Sequence, residues 1–202
     1  MAEVLVPASR LARWIANFTG RHGETSLTVA AGALVGQAAD GSTFTARLPF
    51  DASYAGAPAA ADFAAVARPP ARWGVLLVRK GGFAVGRLQG AALDEHKIGR
   101  RHVQGRTKAG GQSQQRFARR RDNQARQAYE AAAEHAVRLL GGRSMPVVVG
   151  GDHSAVEEVL SDPRLRRLEV TGPWLAVPDP RRAVLDAAVL DALSVRIDVV
   201  NA

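Results

Sequence analysis

From Ser113 to Leu140 the chain runs 28 residues without a Gly or a Pro, and Gly141-Gly142 follows. This pattern predicts one long helix over 113–140, ended by the glycine pair. At about 1.5 Å per residue it spans roughly 42 Å. Phe117, Arg121, Ala125, Ala128, Ala132, Ala136 and Leu139 recur at spacings of three and four, a narrow Ala-rich packing stripe. Arg116, Arg119, Arg120 and Arg126 lie off that stripe in the first half, and Glu130 and Glu134 come only in the second. A fold for this chain must therefore pack an unusually long helix along one side and leave its first half strongly basic.

The segments around the helix predict strands to pack it on. Trp73–Arg79 and Phe83–Leu88 form a hairpin across Lys80-Gly81-Gly82. That glycine pair is a turn and not a phosphate loop, since no Gly-Lys-Ser/Thr follows. Pro146–Gly150 reads as a buried strand and Ser154–Leu160 as a helix capped by Asp152 or Ser154. Residues 174–177 read as a strand and 180–195 as an amphipathic helix. Towards the N-terminus, residues 7–18 predict a short helix with Leu11, Trp14, Ile15 and Phe18 on one face. Strands follow at 25–30, 33–38 and 43–48, with Asp40-Gly41 turning between the last two. Residues 51–72 are rich in Ala, Pro and Gly and read as a linker with one helical turn near 60–67. The expected fold is therefore mixed α/β, with a small α+β region over 1–67 and a second domain over 68–202.

Composition sharpens the boundary. The 202 residues carry a net charge of +8. Residues 1–67 hold 4 Lys+Arg against 5 acids, residues 68–145 hold 17 against 5, and residues 146–202 hold 6 against 9. The densest part, 97–126, has ten Lys/Arg and one acid, Asp122. A localised basic block of this kind faces phosphate. The chain has no Cys, which excludes disulfides, Cys-ligated metal and a thiol nucleophile and fits a reducing cytoplasm. No apolar run reaches the length of a membrane span, and no signal peptide is expected.

Residues 94–112 contain four Gly and many charges without apolar periodicity, and predict a long exposed loop. Gly110-Gly111-Gln112 stands where this loop meets the long helix. Two glycines permit backbone angles that other residues resist and pass through narrow space. Glutamine offers two donors and an acceptor without ionising, so it can orient a water but cannot serve as a strong base. Neighbouring backbone N–H groups can stabilise a developing oxyanion. Such a tip suits a site whose chemistry a partner has nearly completed, and the arginine-rich flanks point to RNA.

The string GGQSQQRFARRR resembles the GGQSxxRFARxR signature of the middle domain of eukaryotic and archaeal class-I peptide release factors. WGVLLVRKGGFAVGRLQG is similar to that domain's opening hairpin, closing Leu88-Gln89-Gly90 included, and PVVVGGDHSAVEEVL to its later strand, turn and helix. The resemblance covers about 70–202. It implies an RNase H-like mixed sheet and a loop that enters the ribosomal peptidyl-transferase centre. There Gly110 and Gly111 would shape the tip and Gln112 would position water against the peptidyl-tRNA ester. Arg116, Arg119, Arg120 and Arg121 on the helix, with Arg100, Arg101, Arg106 and Lys108 on the loop, would contact large-subunit ribosomal RNA. Class-I factors also read stop codons through Asn-Ile-Lys-Ser and Tyr-x-Cys patterns; this chain has neither, nor the domain that recruits a GTPase. It is closer to the Vms-like release factors, codon-independent peptidyl-tRNA hydrolases that rescue stalled ribosomes.

That reading expects a cytoplasmic monomer acting on the ribosome and peptidyl-tRNA, with no cofactor, metal, membrane or DNA. A non-catalytic ribosome-binding module and a stop-codon-dependent factor are the competing readings. A free nuclease is disfavoured because the basic segment lacks the carboxylates such an enzyme needs. Asp152-His153-Ser154 do not read as a triad, since adjacent residues rarely make the mutual geometry a triad needs. His96 and His102 lack metal-ligand partners and read as further RNA contacts, and Trp14, Trp73 and Trp174 as core or interface residues.

Overall fold

Two five-stranded sheets organise the chain. A computed structural model describes residues 2–100 and 112–202, with side chains described at 2–100 and 126–202. In chain order the elements are β1 (Ala2–Val6), α1 (Leu11–His22), β2 (Thr25–Ala30), β3 (Ala33–Ala38), β4 (Thr43–Arg47) and α2 (Ala60–Val66). Then come β5 (Arg72–Arg79), β6 (Gly82–Gln89), β7 (Ala92–Arg100) and α3 (Gln112–Leu140). The chain closes with β8 (Met145–Gly151), α4 (His153–Leu160), β9 (Leu168–Val170), α5 (Arg182–Ala192) and β10 (Val195–Val200). Two units result, one of residues 1–70 with 189–202 and one of residues 71–188.

The first unit is an antiparallel sheet in the order β1-β10-β4-β3-β2. The two-residue period of a strand puts Leu34, Phe44, Ala46, Val195 and Ile197 on one face, all buried. Helix α1 lays Leu11, Ile15 and Phe18 on that face. Each such side chain, fully buried, contributes about 1.5–3 kcal/mol. Phe44 meets Trp14 and Phe18 edge-on, at ring separations of 5.2 and 5.1 Å. Gly36 opposite Phe44 has to be glycine, because any Cβ there would run into the phenyl ring.

The second unit is a mixed sheet in the order β7-β6-β5-β8-β9. β5, β6 and β7 form an antiparallel meander; β8 and β9 continue from β5 in parallel. This is the mixed sheet beside a long helix that the sequence implied. Valines and leucines fill the central strands because both faces are covered. Ala132, Ala136, Leu139 and Leu140 of α3 share one core with Leu76, Val85, Val147 and Val149. Trp73 is fully buried, and its indole donates to the Gly90 carbonyl at 2.7 Å.

Several local expectations are corrected. Residues 94–100 are strand β7 and not the start of a loop, because backbone pairing with β6 tolerates a charged outer face. Residues 174–177 make only one parallel bridge, Leu175 to Gly150, between Pro173 and Pro178. The helix near 180–195 ends at Ala192 and gives way to β10, whose Val195 and Ile197 alternate with Arg196 and Asp198. β10 belongs to the first sheet, so the second region does not run unbroken to residue 202. β1 and β9 were not anticipated at all. Asp152 occupies the N-cap of α4 and its carbonyl accepts the Ala155 and Val156 N–H groups, but its side chain makes no cap bond to the helix. Its carboxylate instead accepts the Lys80 N–H at 3.2 Å and meets Arg79 at 3.4 Å.

Candidate functional site

Glycine punctuation after Leu140 and the absence of breakers before it start α3 at Gln112. Gln112 is thus the first residue of the helix, and β7 ends at the exposed Arg100. The intervening residues, with Arg101, Arg106, Lys108, Gly110 and Gly111, lie outside the described residues, as does His102. Arg116, Arg119, Arg120 and Arg121 fall within the first turns of α3, and their side chains also lie outside the described residues. Of the predicted RNA-contacting side chains, Arg100 is therefore the described one. It pairs through its backbone with Gly82 and is exposed.

The two elements that carry the segment are held together by chemistry the sequence did not reveal. On β6, Arg87 bonds Asp94 at 2.8 Å and meets Glu95 at 3.2 Å, both on β7. Glu95 in turn meets Arg138 of α3 at 3.5 Å. The Arg87 guanidinium also reaches the Leu139 carbonyl at 3.5 Å. Arg87 holds the Asp94 carboxyl below its ordinary range by direct hydrogen bonding. Asp94 and Glu95 were missed because they fell in the stretch read as a loop. Half-buried and exposed positions mix along β7 once it pairs with β6, a pattern that its run of charges does not show in the sequence.

A small cavity of about 170 Å³ lies where β6 and β7 face α3. Phe83, Gly99, Ala128 and His135 line it, with Lys97 and Arg100 at its rim. Gly99 is needed there, since a Cβ would collide with the Phe83 ring. His135 lies over Phe83 at a ring separation of 5.5 Å. Burial, and then the charges of Lys97 and Arg138, hold its imidazole below the ordinary histidine range. The cavity thus joins an aromatic and aliphatic wall to two exposed cations, Lys97 and Arg100.

Other candidates fall into place as structure. His153 stacks on Trp174 at 3.6 Å, and the indole donates to the Gly151 carbonyl at 3.3 Å, so Asp152, His153 and Ser154 form no relay. His96 meets Arg182 at 3.2 Å. Among the described residues no group of three His, Asp or Glu stands close enough to hold a metal ion. Nor is any helix among them long and apolar enough to cross a membrane.

The model of the protein family described as Actinobacteria/chloroflexi VLRF1 release factor, acVLRF1, matches residues 71–198. No curated protein matches the chain.

Proposed function

The chain belongs to this VLRF1 release-factor family, and on that footing we propose that it is a codon-independent peptidyl-tRNA hydrolase freeing nascent chains from stalled ribosomes. The observation that carries the proposal is GGQSQQRFARRR at the head of α3, inside the matched residues. The unit of residues 71–188 is the working domain, and residues 1–70 with 189–202 form the other unit. The protein acts in the cytoplasm as a monomer on the large ribosomal subunit.

The chemistry follows from what a neutral amide can do. Water attacks the carbonyl carbon of the peptidyl ester. The carbon–oxygen bond to the tRNA ribose breaks, and the ribose oxygen takes a proton. Gln112 holds the water by hydrogen bonding, and Gly110 and Gly111 let the backbone approach the carbonyl closely. Backbone N–H groups face the oxyanion as it forms. No residue of the tip needs to ionise, because the ribosome and the terminal ribose supply the rest of the apparatus. Arg100, Arg101, Arg106, Lys108, Arg116, Arg119, Arg120 and Arg121 seat the loop against ribosomal RNA by neutralising phosphates. The meander and the Arg87–Glu95–Arg138 contacts set how β7 meets the far end of α3, the two elements that flank the loop. That matters because a displacement near 1 Å can cost on the order of a hundredfold in rate.

The test is Gln112→Ala on purified stalled complexes carrying labelled nascent peptide. The reading expects release to fall by about 10²–10³-fold with ribosome binding retained. Equal release by both proteins would leave a ribosome-binding module without catalysis.

A further inference from the structure

The first unit has 6 Lys+Arg against 7 acids over residues 1–70 and 189–202, a balance that argues against phosphate binding. Where those charges sit matters more than their sum. Asp198 is tied to Arg47, Asp40 to His22 at 2.9 Å, and Glu3 lies 3.9 Å from Arg196. Arg68 donates to the Ala65 carbonyl at 3.0 Å. The guanidinium groups of Arg10, Arg13 and Arg21 have no ion pair or hydrogen bond with any described residue. All three are exposed, and helix α1 contains no acid.

Their spacing puts them on one stripe. At about 100° per residue, Arg10, Arg13, Asn17 and Arg21 fall within roughly 80° of the helix circumference, opposite Leu11, Ile15 and Phe18. From Arg10 to Arg21 the stripe runs roughly 16 Å. Trp14 borders it. Its indole rests on Phe18 and Phe44 and leaves its N–H without a partner among the described residues. A groove of about 540 Å³ opens beside it, lined by Leu5, Pro7, Arg10, Arg13, Trp14 and Asn17.

We propose that this face of α1 is a second RNA-docking surface, separate from the glycine-glycine-glutamine loop. A single strand lays its phosphates along Arg10, Arg13 and Arg21 and sets a base in the groove against Trp14. Unpaired arginines beside a partly buried aromatic ring that borders an open groove are what a phosphate–base ligand requires: charge for the backbone and a ring for the base. The inference rests on the reading that the protein works on the ribosome, and it gives the first unit a role in placing the protein there.

The test compares the full chain with Arg10→Ala/Arg13→Ala/Arg21→Ala and with the triple Lys variant. Affinity for a fluorescent oligo-U strand and for purified large ribosomal subunits is measured across a salt series. With about 0.7 counterions released per phosphate, removing three contacts lowers the log–log salt slope by roughly 2. Affinity near 0.1 M salt then falls on the order of 10- to 100-fold. The Lys variant keeps most of the slope. Unchanged slope and affinity in the Ala variant would overturn the inference. So would loss of subunit binding with oligo-U binding intact, which would indicate a protein partner. Peptide release by the wild type and by Gln112→Ala, measured in parallel, reports on the hydrolase reading alone. Its failure with the slope change present would separate the two.

Discussion

The close seating of α3 is the structural condition for everything at its first residue, and Ala132→Leu tests it. Ala132 is fully buried, and α3 meets the sheet there through alanines and not through longer side chains. Leucine adds three carbons at a fully buried site. Forcing extra methylenes into a packed core costs about 1–3 kcal/mol. For a unit spanning 71–188, about 4 °C of melting temperature per kcal/mol gives a fall of roughly 4–12 °C. Glu130→Ala, on the exposed side of the same helix, shifts the melt by about 0.5 kcal/mol or less. Circular dichroism melts of the three proteins measure both effects. The variant is also expected to release peptide more slowly well below its melting temperature, because a lifted helix carries Gln112 with it. An Ala132→Leu protein that melts with the wild type would refute the close packing of α3 on the sheet. One that melts early but releases peptide at full rate would refute the dependence of the tip on that packing.

Two further outcomes follow from the same unit. The lowered His135 pKa makes the unfolded chain bind the proton more readily than the folded one. Stability is therefore full above the ordinary histidine pKa of about 6.5 and falls as pH drops below it. Urea midpoints at pH 7.5 and 5.5 should differ less in His135→Phe than in the wild type; an equal difference would discount this histidine. Trp73→Phe keeps the ring buried but strips the Gly90 carbonyl of its donor. It should cost about 1–3 kcal/mol in chemical denaturation, and no cost would mean that water replaces the indole.

The long helix was legible because nothing in residues 113–140 interrupts it, and the hairpin over 72–89 because two apolar runs flank a tight turn. Strands whose stability comes from partners were harder to see. β7 is a strand through its pairing with β6, although its own residues, DEHKIGR, read as solvent-loving. β10 completes a sheet begun nearly two hundred residues earlier, where it pairs with β1 and β4. Periodicity cannot register a partner that distant. The glycine-glycine-glutamine motif was readable as letters because its chemistry depends on residue type. The Arg87–Asp94–Glu95–Arg138 brace was not, because it exists only once three elements meet. The arginine stripe of α1 was masked by averaging, since the region's near-zero charge conceals that its acids lie off that helix.

The central claim is that an uncharged glutamine at the head of α3 hydrolyses peptidyl-tRNA without reading a codon. The most direct measurement is the single-turnover rate of peptide release from complexes with a stop codon, a sense codon or an empty A site. The account predicts comparable wild-type rates on all three and a loss of about 10²–10³-fold on each in Gln112→Ala. Release confined to the stop codon, or undiminished in Gln112→Ala, would contradict it.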